Sequence, residues 1–139
     1  MYLCAIIDLH TRYVVNWGIS NTMTAEWCCQ LVEEAINIHG KPEIINSDQG
    51  SQFTSQEYTE MLSNKGIKIS MDGKGRAIDN IFIERLWKSV KYECIYLHAF
   101  EDGVQLYEGL DNYFTFYNTE RLHQSLDYET PESLYKKAA

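Results

Sequence analysis

Apolar and polar positions change their period several times along the chain, and each change marks an element. Tyr2 to Ile7 and Tyr13 to Ile19 are apolar runs separated by the turn-like stretch Asp8-Leu9-His10-Thr11-Arg12. This order predicts a β-hairpin whose strands are buried on at least one face. Asn21 to Thr24 then offers N-cap residues, and Trp27, Cys28, Leu31, Val32, Ala35 and Ile36 recur at helical spacing until Gly40 and Pro42 end the pattern. Glu43 to Asn46 reads as a short strand, and strand, helix and strand in this order predict a parallel crossover. Thr54 and Glu57 have capping-box spacing, so a helix is expected from there to about Lys65, with Gly66 as its terminal glycine. Ile67 to Met71 is a further short strand, followed by the basic loop Asp72-Gly73-Lys74-Gly75-Arg76.

The second half is helical by the same criterion. Asp79 is a candidate cap for a helix reaching His98, with Ile83, Leu86, Trp87, Val90 and Cys94 toward a core. Glu84, Lys88 and Lys91 form another stripe of that helix, joined one turn earlier by Asn80. Asp102-Gly103 breaks the pattern, and Val104 to Tyr117 predicts an aromatic-rich helix. From Asn118 the chain reads as a loop, ending in a short helix with Thr130 as cap and Pro131 in its first position.

Composition narrows the class. At 139 residues and 45% hydrophobic, one domain with one core is expected, and disorder is excluded. Cys4, Cys28, Cys29 and Cys94 show no metal-binding spacing and read as reduced, mostly buried thiols. No apolar run approaches the roughly 20 residues of a membrane span, and no leader pattern precedes the first strand. A soluble cytoplasmic protein is the expectation. The net charge of −8 opposes free-standing binding to DNA. Residues 65–91, however, hold seven Lys and Arg against three acids, a local balance of +4 that leaves −12 on the rest.

Two carboxylates stand out for chemistry. Asp48 follows the Ile44-Ile45-Asn46-Ser47 run and precedes a glycine turn, so it falls at the carboxyl end of a strand, where α/β sheets place ligands. Glu84 lies on a helix after a gap of 35 residues. Such a pair can hold a hard divalent cation that shares its ligands with phosphates. An ordinary turn aspartate and an ordinary surface glutamate would look the same by spacing alone.

Three motifs decide more than spacing does: Ser47-Asp48-Gln49-Gly50-Ser51-Gln52-Phe53; Asp79-Asn80 with Glu84; and Phe116-Tyr117-Asn118 with Arg121, His123, Leu126, Tyr128 and Pro131. Together they resemble the integrase-like catalytic core of bacterial insertion-sequence transposases, the DDE group similar to retroviral integrase. The resemblance covers nearly the whole chain. It implies an α/β, ribonuclease H-like mixed sheet flanked by helices, with residues 1–118 as the core and 119–139 as its tail. It implies Asp48 and Glu84 as catalytic, metal-binding residues for Mg²⁺ or Mn²⁺, cutting DNA at element ends and joining it to a target. Asn80, Lys88 and Lys91, with Lys74 and Arg76 of the basic loop, are the implied DNA contacts. Arg121 and His123 would tie the tail to the core or touch DNA.

The family's first aspartate, within a Thr-Asp-x-Thr-like strand, has no counterpart before Asp8. Asp8 matches instead an Asp-x-x-x-Arg turn of the next strand, so it is a doubtful third ligand. The expectation is a core lacking the first strand, with weak or no strand transfer on its own. Two alternatives are a fragment that binds and regulates full-length transposase, or a self-associating chain of that kind, and a residual nuclease in which Asp8 supplies the third carboxylate. A plain acidic binding module is the least specific reading.

Overall fold

The computed structural model describes residues 1–71 and 81–138. The expected cap Asp79, the contact residues Lys74, Arg76 and Asn80, and the loop around them lie outside the described residues. The chain divides into two compact units. One comprises Met1–Ile6 and Val15–Ile81, and the other Ile7–Val14 and Phe82–Ala139.

The first unit contains the strands β1 (Tyr2–Ile7) and β2 (Val14–Ser20) apart from Ile7 and Val14, and the two strands pair as the predicted hairpin. Helix α1 (Ala25–His39) follows, with the Thr24 hydroxyl accepting the Trp27 N–H at 3.2 Å and Gly40 ending it. The strand β3 (Ile44–Ser47) does not pair with β2. It runs parallel to β4 (Lys68–Met71), from Ile44 opposite Lys68 to Ser47 opposite Met71. The expected parallel crossover therefore lies one step later, and the described strands pair as β1 with β2 and β3 with β4. The helices α2 (Ser51–Thr54) and α3 (Gln56–Asn64) make this crossover.

The start of α3 also corrects the expected capping box. Ser55 is the cap, accepting the Tyr58 N–H at 3.2 Å, because Thr54 closes α2 with its hydroxyl on the Gly50 carbonyl. Gly66 takes φ +74°, the left-handed conformation expected after α3. The core of this unit joins Cys28, Cys29 and Val32 of α1 to Tyr58 and Leu62 of α3 and to Ile67. Ile6, Ile45 and Ile69 pack against it from three strands, so both small sheets contribute to the same apolar cluster.

The second unit is mainly helical. Helix α4 (Ile81–Val90) continues as a π-helical turn over Lys91–Ile95 and ends short of the predicted His98. Its buried residues Leu86, Val90 and Cys94 recur every four residues. That spacing exceeds the α-helical 3.6, and the wider turn keeps Cys94 on the buried side. Helix α5 (Gly103–Thr119) starts at Asp102, whose carboxylate accepts the Gln105 N–H at 2.8 Å, and buries Leu110, Tyr113, Phe114 and Tyr117. A short 3₁₀ turn at Gln124–Leu126 precedes α6 (Pro131–Ala138), capped by Thr130 as predicted. None of the described helices is long and apolar enough to cross a membrane.

Candidate active site

Asp48 stands immediately beyond β3, at the carboxyl end of the parallel pair. Asn46, two residues earlier, donates across the pair to the Ser70 hydroxyl at 3.1 Å, fixing the strand that delivers Asp48. The Asp48 side chain is exposed. One oxygen, Oδ1, accepts the Gly50 N–H at 2.8 Å, and this is its hydrogen bond among the described residues. The glycine leaves room for these side chains: a Cβ at residue 50 would lie 2.9 Å from Asp48 Oδ1 and 2.9 Å from Gln52 Nε2, so the carboxylate would have to shift. The Asp-x-Gly sequence thus holds the carboxylate in one orientation while leaving its second oxygen to solvent. Behind it, Cys4 of β1 and Cys28 of α1 are neighbours. Hydrogen bonding to Cys28, then burial, then the charges of Cys28 and Asp48 push the Cys4 thiol well above its usual range, so it is a protonated, inert group.

Glu84 lies in the first part of α4, exposed, as do Lys88 one turn on and Lys91 at the start of the π-helical turn. The sequence stripe is therefore present on the helix for these three residues. Asp48 and Glu84 belong to different units, and each is placed within its own. No group of three His, Cys, Asp or Glu side chains is gathered for a metal ion among the described residues. In donor chemistry Asp48 and Glu84 do fit a hard divalent ion: both are exposed carboxylates on regular elements.

Asp8 is engaged locally. Its Oδ2 accepts the N–H and the hydroxyl of Thr11, its own N–H donates to the Tyr13 carbonyl, and its carbonyl accepts the Arg12 N–H. This is a carboxylate bracing a hairpin turn.

The tail motif is structural in its contacts. Arg121 grips Glu93 with two parallel bonds of 2.8 Å, and Tyr113 donates its hydroxyl to the same carboxylate at 2.9 Å. The Arg121 bonds, followed by the Tyr113 bond among the favourable terms, hold Glu93 below the usual carboxylate range despite partial burial. Asn118 pairs both ways with Val14, accepting its N–H at 2.8 Å and donating to its carbonyl at 3.0 Å. His123 packs edge-on to Tyr117, and its buried Nε2 has no partner among the described residues. Burial, then the charges of Arg121 and Arg12, push it down to about 4, so it is neutral at pH 7. Of the expectations for Arg121 and His123, tying the tail down describes these contacts. Glu93 escaped the sequence reading because its partner lies 28 residues away and no local spacing links them.

Sequence profiles described as integrase core domain match residues 1–77 and 65–131. The chain belongs to the integrase core domain family. Among curated relatives, the transposase of insertion sequence element IS904 from Lactococcus lactis is 34% identical over 98% of this chain and 55% of its own length. The putative transposase InsK of element IS150 from Escherichia coli is 31% identical over 94% of this chain and 47% of its own. The chain spans about half the length of these relatives. Solved structures agree on the fold of this integrase core. A chain of the simian T-cell lymphotropic virus intasome matches with a TM-score of 0.80 at 20% identity, over 96% of this chain and 47% of that one. The HTLV-2 integrase catalytic core, solved in complex with magnesium, matches with a TM-score of 0.70 at 21% identity, over 96% and 83%. The fold is thus the α/β, ribonuclease H-like class expected from the motifs.

Proposed function

We propose that this integrase core serves DNA transposition, with Asp48 and Glu84 as carboxylate ligands for Mg²⁺ or Mn²⁺ where DNA phosphodiesters are cut and joined. The observation that supports this most is the mounting of Asp48: a motif carboxylate at the end of a parallel strand pair, held through one oxygen and exposed through the other. When bound, the ion would polarise the scissile phosphodiester and stabilise the leaving oxygen. The residues of this chain would hold and orient. Gly50 fixes the Asp48 carboxylate, α4 presents Glu84, and Lys88 and Lys91 place positive charge along the same helix for the DNA backbone. Lys74, Arg76 and Asn80 complete the proposed DNA contacts. The proposed partners are element-end and target DNA and further transposase subunits, in the cytoplasm.

The engagement of Asp8 by Thr11 favours a turn role over a third ligand. A chain without that ligand would be a weak catalyst alone, and the non-catalytic reading, association with full-length transposase, follows from the same observation.

The test is nicking of supercoiled plasmid in Mn²⁺. Weak nicking by the wild-type chain that disappears in both Asp48→Asn and Glu84→Gln is the expected result. Nicking that survives both substitutions overturns the ligand assignment. An inactive wild-type chain that still captures full-length transposase and lowers its activity supports the non-catalytic role instead.

A further inference from the structure

The second unit contains three arginines with different surroundings. Arg121 is neutralised by Glu93 through the two bonds described above. Arg12 and Arg85 form no ion pair among the described residues. Both lean on one aromatic ring: the guanidinium carbon of Arg12 lies 3.8 Å from the centroid of Phe82, and that of Arg85 lies 5.8 Å from it.

We propose that Arg12 and Arg85, gathered about Phe82, form a clamp for a backbone phosphate of nucleic acid. This rests on the DNA reading above and adds to it a pair of contacts outside the Lys88–Lys91 stripe.

Arg12 is held by a built turn. Its backbone is left-handed, with φ +65°, and its N–H donates to the Asp8 carbonyl at 2.7 Å. The Thr11 residue before it is buried, and Thr11 in turn saturates Oδ2 of Asp8. Asp8 thus braces the turn that carries Arg12, and the two form no ion pair among the described residues. Burial lowers the Arg12 pKa most; Tyr117 next opposes this, Arg85 lowers it further, and Asp8 opposes it least. A partly buried Arg12 and an exposed Arg85 are thus brought to one ring without an ion-pair partner among the described residues.

The ring explains how such a pair is tolerated, since a guanidinium over an aromatic face is attracted by the negative face of the ring. It also explains what the pair would take. A planar guanidinium donates two parallel N–H bonds to a phosphate, and an anion between two of them removes their mutual repulsion. Stacking fixes the side chains beforehand, so less rotamer freedom is lost on binding.

The experiment uses a fluorescein-labelled 30-base-pair duplex, followed by fluorescence anisotropy from 50 to 200 mM salt. The variants are Arg12→Asn, chosen because asparagine accepts a positive φ, Arg85→Gln, and the double variant, with Lys88→Gln beside them. Circular dichroism checks that each keeps its fold. Each arginine variant is expected to weaken binding about threefold to tenfold at 50 mM and to lower the log–log salt slope by about 0.9. A double variant with wild-type affinity and slope, while Lys88→Gln binds more weakly, overturns the clamp and leaves the DNA reading standing. Inorganic phosphate, titrated while the arginine Nε–H resonances are observed by NMR, covers the converse. Shifts that vanish in the double variant, without duplex binding by the wild-type chain, keep an anion site and overturn the nucleic-acid assignment. Absence of both shifts and binding overturns both.

Discussion

Asp48 and Glu93 are both carboxylates with hydrogen-bond partners, and their surroundings assign them opposite work. Glu93 receives two N–H bonds from Arg121 and one O–H bond from Tyr113. Its acceptor capacity is largely used, its charge is matched, and its pKa is lowered accordingly. Asp48 receives one backbone N–H and faces solvent. The difference is one of satisfaction: a carboxylate whose lone pairs are already committed holds a fold together, whereas one oriented through a single backbone bond can still accept a ligand. Sequence position singled out Asp48 and passed over Glu93.

Substitutions at the two sites should therefore separate cleanly. Asp48→Asn keeps the size and the bond to Gly50 but removes the charge. Mn²⁺-dependent nicking should fall a hundredfold or more, about 2.7 kcal/mol in barrier, while the urea midpoint stays unchanged. Glu93→Gln should do the reverse. Arg121 and Tyr113 lose a charged acceptor in a half-buried setting, which costs about 2 kcal/mol of stability, read as a lower urea midpoint.

Acid should act on the same side of the comparison. His123 is held near 4 in the folded chain against an ordinary 6.5, so the unfolded chain binds more protons between those values. Stability is full above pH 6.5 and declines as pH falls toward 4. Glu93, whose folded pKa is lowered, adds a further loss as it protonates below the usual carboxylate range. A lower urea midpoint at pH 5 than at pH 7, with the difference reduced in His123→Gln, is the expected result. The smallest effect belongs to Lys136→Ala. Its partner Glu132 is 2.6 Å away, but the lysine is exposed, and no measurable change in midpoint is expected.

Local rules carried the sequence reading a long way. Thr24, Gly40, Gly66, Thr130 and Pro131 act through neighbours one to four residues off, and the elements they bound are where their patterns put them. The exceptions have local causes too. Thr54 and Ser55 are both capping residues, and only the formation of α2 decided between them. The π-helical turn follows from the depth of Cys94 in a core, a property of packing that no composition signals. At the site, Asp48 and Glu84 were legible because motif and element coincide. The grip of Arg121 on Glu93, and the approach of Arg12 to Phe82, depend on chain returns of 28 and about 70 residues, which periodicity does not encode.

The two bonds between Asn118 and Val14 span 104 residues of chain. They bear on the order of events during synthesis. Val14 leaves the ribosome 104 residues ahead of the amide that satisfies its backbone. Until then the start of β2 has only water for these groups, and loop closure over such a distance is slow. The helical segments of the second unit can form as they emerge, but their closure onto the hairpin turn must wait until Asn118 has been made. A chain interrupted before Asn118 would be left with an open strand end, prone to pairing with other chains.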